Sequence, residues 1–294
     1  MNADKIQALG VTRWSYPCGQ EGFRREGSDL DALRAQLYAP HRLDHRVFLL
    51  EHVLLPCLRA QTDPDFTHLF LMGDQLPDPW RSKILALLET VPQIKPVFWP
   101  EGEDMLEVCR TLIQSHVSPD CVATAQYRLD DDDAVAIDFI ARTREIFVKM
   151  RSFFEESGRL GIDFCRGFIM QTSAKGIEIN PVSMRFWAPG QMVFLQPDSK
   201  RSLFDFNHLQ IWHHMPAMTW NETPMFIRGA HHDNDSHLAS FARRTKSFKF
   251  HHARPTRYFK RRFGFDLRRM AAEWDEHAAF FMDETPEPLA RDAS

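Results

Sequence analysis

Over residues 1–157, short apolar runs alternate with longer stretches whose apolar residues recur every three or four positions. This is the pattern of strands joined by crossover helices in a layered sheet. The expected strands are Gln7–Thr12, His68–Met72, Ile94–Trp99 and Val122–Leu129. Between the first two, Leu43, Val47, Leu50, Leu54 and Leu58 share one helical face, and Pro56 is expected to kink or tighten that helix. A second helix is expected from Asp78-Pro79 to about Glu89, with the proline where a missing amide is harmless, and a third between Glu103 and His116. A fourth follows an acidic run, with Ile137, Ile140, Phe147, Met150 and Phe154 on one stripe and Arg142, Arg144 and Lys149 off it.

From Gly158 the texture changes to shorter runs, Phe164–Gln171, Gly176–Ile179, Ser183–Trp187 and Met192–Gln196, separated by Gly, Pro, Asn and Asp. Mixed or antiparallel strands are expected there. The segment from Phe241 has helical patches and ends in a Glu-Thr-Pro-Glu-Pro tail that is expected to fray. The chain therefore reads as α/β, in three parts: an α/β half over 1–157, a mixed α/β half of the same domain over 158–240, and a basic C-terminal extension over 241–294.

Composition narrows the class. A chain of 294 residues with 44% hydrophobic content can bury a full core without staples. Five cysteines, widely spaced and without a CxxC pair, argue against a disulfide framework or a cysteine zinc site, and suggest reduced thiols in the cytoplasm. No apolar h-region follows Met1, and nowhere do eighteen apolar residues run together, so no membrane span is expected. The formal net charge of −4 conceals an asymmetry, since Phe241–Arg269 carries eleven Lys and Arg against the single acid Asp266.

The run Asp130-Asp131-Asp132-Asp133 stands at the C-terminal end of the fourth expected strand, the edge where open α/β sheets place their ligands. Four adjacent carboxylates repel one another, so a cation, a helix N-terminus or an arginine should lie close by. Mg2+ or Mn2+ suits the site, because these cations take one or two protein carboxylates and complete their shell with water and phosphate. In extended backbone Asp130 and Asp132 would face the same way, with Asp131 turned elsewhere and Asp133 placed to cap the next helix. A solvated turn made of helix-capping aspartates is the bland alternative.

With Tyr127-Arg128-Leu129-Asp130-Asp131-Asp132-Asp133-Ala134 the sequence resembles a glycosyltransferase of the GT-A type, whose DxD-type motif follows an apolar strand. More narrowly it resembles the bacterial putative rhamnosyltransferase family, through Gly10-Val11-Thr12-Arg13-Trp14-Ser15, Leu54-Leu55-Pro56-Cys57-Leu58-Arg59-Ala60-Gln61-Thr62-Asp63 and the RLDDDDA stretch. The resemblance implies a Rossmann-like nucleotide-binding sheet with helices on both faces, followed by an acceptor region. It also implies a dTDP- or UDP-linked sugar donor, Mn2+ or Mg2+, and transfer of a hexose or deoxyhexose to a glycan or lipid-linked acceptor. Carried onto this sequence, the pattern puts Asp130 on the donor ribose or the metal and Asp132 on the metal, with Asp133 a further metal candidate, and the fourfold run leaves the register open. Thr12, Arg13, Asp74, Arg128, Asp130, Asp131 and Arg228 are the corresponding donor-side candidates. Gly73 would allow close approach and Asp74 would accept from the nucleobase, although a Gly-Asp turn has the same composition.

The second half supplies further candidates. Phe226-Ile227-Arg228-Gly229-Ala230 runs into His231, His232 and Asp233, and GT-A enzymes often place a C-terminal histidine on the metal, which points to His231 or His232. Paired histidines are equally common in surface loops. An inverting transfer needs a base, for which His213, His214, Asp163, Glu178 and Asp233 are unranked candidates. The basic stretch that continues through Arg254-Pro255-Thr256-Arg257 to Arg261-Arg262 suits an anionic membrane surface, which would place the protein at the inner face of the membrane. A metal-dependent phosphohydrolase built from the aspartates with His231, His232, Asp233 and His237 is the rival enzyme reading. A nucleic-acid-binding module is disfavoured by the net negative charge and leaves the aspartates unexplained.

Overall fold

The computed structural model describes residues 5–19, 30–173, 175–231, 247–250 and 252–282. The large sheet holds β1 (Ile6–Arg13), β2 (Phe66–Gly73), β3 (Ile94–Trp99), β4 (Ala123–Arg128), β6 (Arg159–Phe164), β9 (Gln191–Leu195) and β10 (Ala217–Trp220), in the order β10-β6-β9-β4-β1-β2-β3. β1 pairs in parallel with both β2 and β4, and β2 with β3, whereas β9 runs antiparallel between β4 and β6. A smaller sheet, β5-β11-β7-β8, combines β5 (Ala134–Val135), β7 (Arg166–Ser173), β8 (Gly176–Ser183) and β11 (Phe226–Ala230).

Helices cover both faces of the large sheet, as the strands' two-residue alternation requires. Ile6, Ala8, Phe70 and Met72 pack toward α2 (Pro40–Leu49), α3 (Leu55–Arg59), α4 (Trp80–Leu88) and α6 (Phe139–Ser157). Leu9, Val11, Leu69 and Leu71 pack on the other face against Val108, Cys109, Leu112 and Ile113 of α5 (Met105–Gln114). α1 (Leu30–Leu37) precedes them all. The fold is thus α/β. All five cysteines are free and buried.

Three local expectations change. The helix break falls ahead of Pro56, at a π-helical turn over Leu50–Leu54, because a proline at the start of α3 leaves the preceding turn without one amide donor. Pro79 takes the N-cap of α4 instead of its first turn, and Asp78 accepts from Ser82 N–H and Oγ. In the second half, Phe164–Gln171 splits into β6 and β7, and Ser183–Trp187 is largely a turn in which Phe186 has φ +58°.

The described part of the C-terminal segment belongs to the core. Phe259 and Phe263 of α7 (Pro255–Phe263) are buried, with their rings edge-on to Phe168 at 5.0 and 6.1 Å. Trp274 of α8 (Leu267–Met282) lies against Phe48 and His45 of α2, both at 5.5 Å, and donates to Ser173 O at 2.9 Å. Among the described residues no helix is long and apolar enough to cross a membrane.

Candidate active site

Past β4, Leu129 N–H still reaches Val11 O at 3.1 Å, and then the chain folds into a turn closed by Asp133 N–H on Asp130 O at 3.1 Å. Carboxylate oxygens of Asp130, Asp132 and Asp133 lie within 4.8 Å of one another. Asp131 points away and forms an ion pair with Arg46 of α2. Asp130 and Asp132 therefore do converge, but through a turn and not through extended alternation. The expectation that Asp133 caps a helix is corrected. β5 intervenes before α6, whose N-cap is Asp138, and Asp133 Oδ1 instead accepts Gly229 N–H at 3.0 Å.

The smaller sheet closes the site. β5 pairs antiparallel with the start of β11, so the end of β11 comes to lie against the acidic turn. Gly229 is required there, since a Cβ at this position would sit 2.3 Å from Asp132 Oδ2. Just beyond, His231 Nε2 lies 3.3 Å from Asp132 Oδ2 and 2.7 Å from Arg46 Nη1, with its side chain only 1% exposed.

Burial splits the acids electrostatically. Asp131 is pushed up to about 7 by desolvation, which Arg46 opposes. Burial also works upward on Asp132, but contact with His231 and the charges of Arg46 and Arg228 hold its carboxyl well below the usual range. Burial and the adjacent Asp132 charge raise Asp133 well above that range. Burial and repulsion thus work against ionisation of Asp133, whereas its surroundings favour ionised Asp132. A divalent ion would hold both ionised, because a ligating carboxylate must be deprotonated. The donor set is hard oxygen plus one imidazole, which fits Mn2+ and, through the oxygens, Mg2+.

Arginines surround the turn. Arg128, part-buried at the end of β4, places Nη2 2.9 Å from His208 Nδ1, and burial lowers its pKa. Together with Gln126, Gln191 and His208 it lines a small cleft. Arg228 lies over the Trp187 ring at 5.1 Å, and its charge is felt by Asp132, Asp133 and Arg128. Arg13, at the end of β1, also acts on Arg128. Thr12 is a tie beneath the turn, donating to Leu129 O at 2.8 Å and meeting His68 Nε2 at 2.8 Å. Asp74 is exposed just after β2, and the Gly73 before it lies under Tyr38 and Glu101.

The base candidates are dispersed. Asp163 is fully buried, with its oxygens accepting Phe186 N–H at 2.8 Å and Thr219 Oγ1–H at 3.1 Å, so it fastens the left-handed Phe186 backbone. Glu178 is exposed on β8. His213 and His214 are exposed beside the 3-10 segment His208–His213, with rings against Trp212 and Phe206 respectively. His232, Asp233 and His237 lie outside the described residues. Arg46 and His208 were missed from the sequence. For Arg46 a signal existed, because it sits three residues after Leu43 and four before Leu50, a charge on an otherwise apolar helical stripe.

β4 thus ends in a largely buried acidic turn flanked by arginines and a histidine. The chain belongs to the family described as "Putative rhamnosyl transferase", whose model matches residues 7–243. Among solved structures, S. aureus TarS 1-349 with UDP is 10% identical at TM-score 0.38, over 76% of this chain and 60% of that one. The same protein with UDP-GlcNAc is 12% identical at TM-score 0.37, over 80% and 61%. A "putative nucleotide-diphospho-sugar transferase" from Desulfovibrio desulfuricans G20 is 12% identical at TM-score 0.40, over 95% and 97%. The chain thus spans about three fifths of the TarS 1-349 chains it matches, and 37% of a longer TarS chain. Comparison with curated proteins found no match.

Asp163 gives a test of the fold around the candidate bases. Desolvation raises its pKa from 3.8 to about 7. Between those values the unfolded chain sheds a proton that the folded chain keeps, so stability is fullest below pH 3.8 and is lost as pH rises through about 7. Asp163→Asn, neutral throughout, should remove this loss, and urea midpoints measured from pH 4.5 to 7.5 should fall less steeply than in the wild type. Equal slopes would show that Asp163 is ionised in the fold.

Proposed function

We propose that this chain is a metal-dependent transferase that moves a hexose or deoxyhexose, with rhamnose the first candidate, from a dTDP- or UDP-linked donor to a glycan or lipid-linked acceptor. The observation that carries the reading is the convergence of Asp130, Asp132 and Asp133 at the end of β4. Asp130, Asp132 and Asp133 would hold the ion together with His231, and His232 follows directly in the sequence. When bound, Mn2+ or Mg2+ supplies a Lewis acid for the charge that develops on the leaving diphosphate.

The chain's own residues do the rest. Arg228, Arg128 and Arg13 bring guanidinium groups around the acidic turn, where bidentate donors orient phosphate oxygens. Asp74 stands at the end of β2, in position to accept from a nucleobase edge. His213, His214 and Glu178 are exposed and stay base candidates with Asp233, whereas Asp163 is closed off by its two hydrogen bonds.

Incubation with a panel of dTDP- and UDP-sugars and Mn2+ should reveal one donor that is turned over. Asp132→Asn should lower that turnover about a hundredfold or more, with the melting temperature little changed. Full activity in the variant, or after chelation, would contradict a metal-dependent transfer.

Contact with the membrane is proposed through α7. Its apolar face is consumed by the core, while Arg254, Arg257 and Arg261, spaced three and four apart, are exposed on one side. Such a stripe suits electrostatic contact with anionic lipid, without insertion. Flotation should show binding to phosphatidylglycerol vesicles that falls about tenfold or more when the three arginines become glutamates. Equal recovery of wild type and variant would contradict this contact.

A further inference from the structure

Beneath the acidic turn lies a row of buried polar groups from three neighbouring strands. His68 of β2 and Tyr127 of β4 both sit opposite Gly10 of β1 in the strand register, and Thr12 stands two residues further along β1 on the same face. All three side chains are buried. Thr12 Oγ1 lies 2.8 Å from Leu129 O and 2.8 Å from His68 Nε2, and His68 Nδ1 lies 3.3 Å from Tyr127 OH.

These contacts call for one assignment of protons. Leu129 O can only accept, so the Thr12 hydroxyl places its single proton there. Thr12 Oγ1 then accepts from His68, which puts the ring proton on Nε2. Burial pushes the His68 pKa down to about 3, so the ring is neutral and Nδ1 carries a lone pair. Tyr127 OH is the donor that meets it. The row thus runs in one direction, from Tyr127 through His68 and Thr12 to the Leu129 carbonyl. With the ring proton on Nδ1 instead, Nε2 would compete with Leu129 O for the Thr12 proton. Tyr127 OH would have to accept, and its own buried proton would lose its partner. Tyr127 therefore favours the tautomer that leaves Thr12 to hold the carbonyl.

That carbonyl belongs to the peptide plane that leads into Asp130. Leu129 N–H is already fixed on Val11 O at 3.1 Å, so both polar groups of Leu129 are tied to β1. Asp132 and Asp133 have contacts of their own, with His231 and with the Gly229 amide. Asp130 is exposed, and its direction is set by the backbone that delivers it.

Building on the metal-site reading above, we propose that His68 and Tyr127 are positioning residues for Asp130. Through Thr12 they fix the Leu129–Asp130 peptide plane and hold the Asp130 carboxylate where it converges with Asp132 and Asp133. The row carries no net charge, so it orients this ligand without adding to the field that acts on it.

The test uses the full chain with isotope-labelled histidine. Nitrogen NMR, with the His68 signals identified by their loss in His68→Gln, should show a neutral ring protonated at Nε2 in the wild type. In Tyr127→Phe, the Nδ1 signal should move to the position of a ring nitrogen without a hydrogen bond. Mn2+ affinity, followed from the free-ion signal by electron paramagnetic resonance, should fall about threefold or more in Tyr127→Phe and about tenfold in Thr12→Val. Thr12→Ser keeps the hydroxyl and should stay within about twofold of the wild type. Ile113→Val in α5, on the opposite face of the sheet, controls for lost stability and should leave Mn2+ affinity unchanged.

A wild-type ring protonated at Nδ1 overturns the row. If Tyr127→Phe and Thr12→Val bind Mn2+ as the wild type does, or if Thr12→Ser is as weak as Thr12→Val, the three groups are core packing and the positioning role is overturned. If the wild type binds no Mn2+ although His68 is protonated at Nε2, the metal-site reading fails, and the positioning role with it.

Discussion

Three buried aspartates in succession, Asp131, Asp132 and Asp133, set the constraint that the surrounding structure answers. Each loses its hydration on folding, and each adds its charge to the next. The fold gives them three different fates. Asp131 takes an arginine, Asp132 a histidine edge and the field of two arginines, and Asp133 a backbone amide. Such an arrangement is poor for stability, because a half-matched cluster of acids costs more than an apolar core would. It is well suited to receiving a cation.

Elements distant in sequence meet to produce it. β1 and β4 deliver the turn, with Thr12 holding the Leu129 carbonyl from below and Gly10 leaving room for His68 and Tyr127, whose atoms a Cβ would approach to 2.2 and 2.4 Å. α2 contributes Arg46, and its placement depends on α8, since Trp274 packs against His45 on the preceding position of the same helix. The smaller sheet contributes the amide of Gly229 and the ring of His231 by pairing β11 with the two residues of β5. The strand order places these pieces at one edge of the sheet, where an α/β fold has room for a ligand.

Much of the first half could be read directly from the chain. β3 coincides with its expected span, and β1, β2 and β4 differ from theirs by one or two residues at each end, because period-two alternation and flanking helical stripes agree there. The location of the acidic run was legible for the same reason. Its internal geometry was not, since four identical residues carry no signal that separates a turn from an extended segment. Hence Asp133 was assigned to a helix that begins only after β5. In the second half, β10 spans four residues and β5 two, too short for any periodicity, and their places are set by tertiary pairing alone. Arg46 was overlooked because its partners, Asp131 and His231, are 85 and 185 residues away in sequence.

The proposed chemistry requires that the acidic turn hold a metal ion against a nucleoside diphosphate. Crystals grown with MnCl2 and UDP or dTDP, with diffraction data collected at the manganese edge, address this most directly. An anomalous peak is expected within bonding distance, about 2.0–2.3 Å, of carboxylate oxygens from Asp130, Asp132 and Asp133, with the ion in contact with the diphosphate. A peak elsewhere, or nucleotide bound with no ion at the turn, would contradict it.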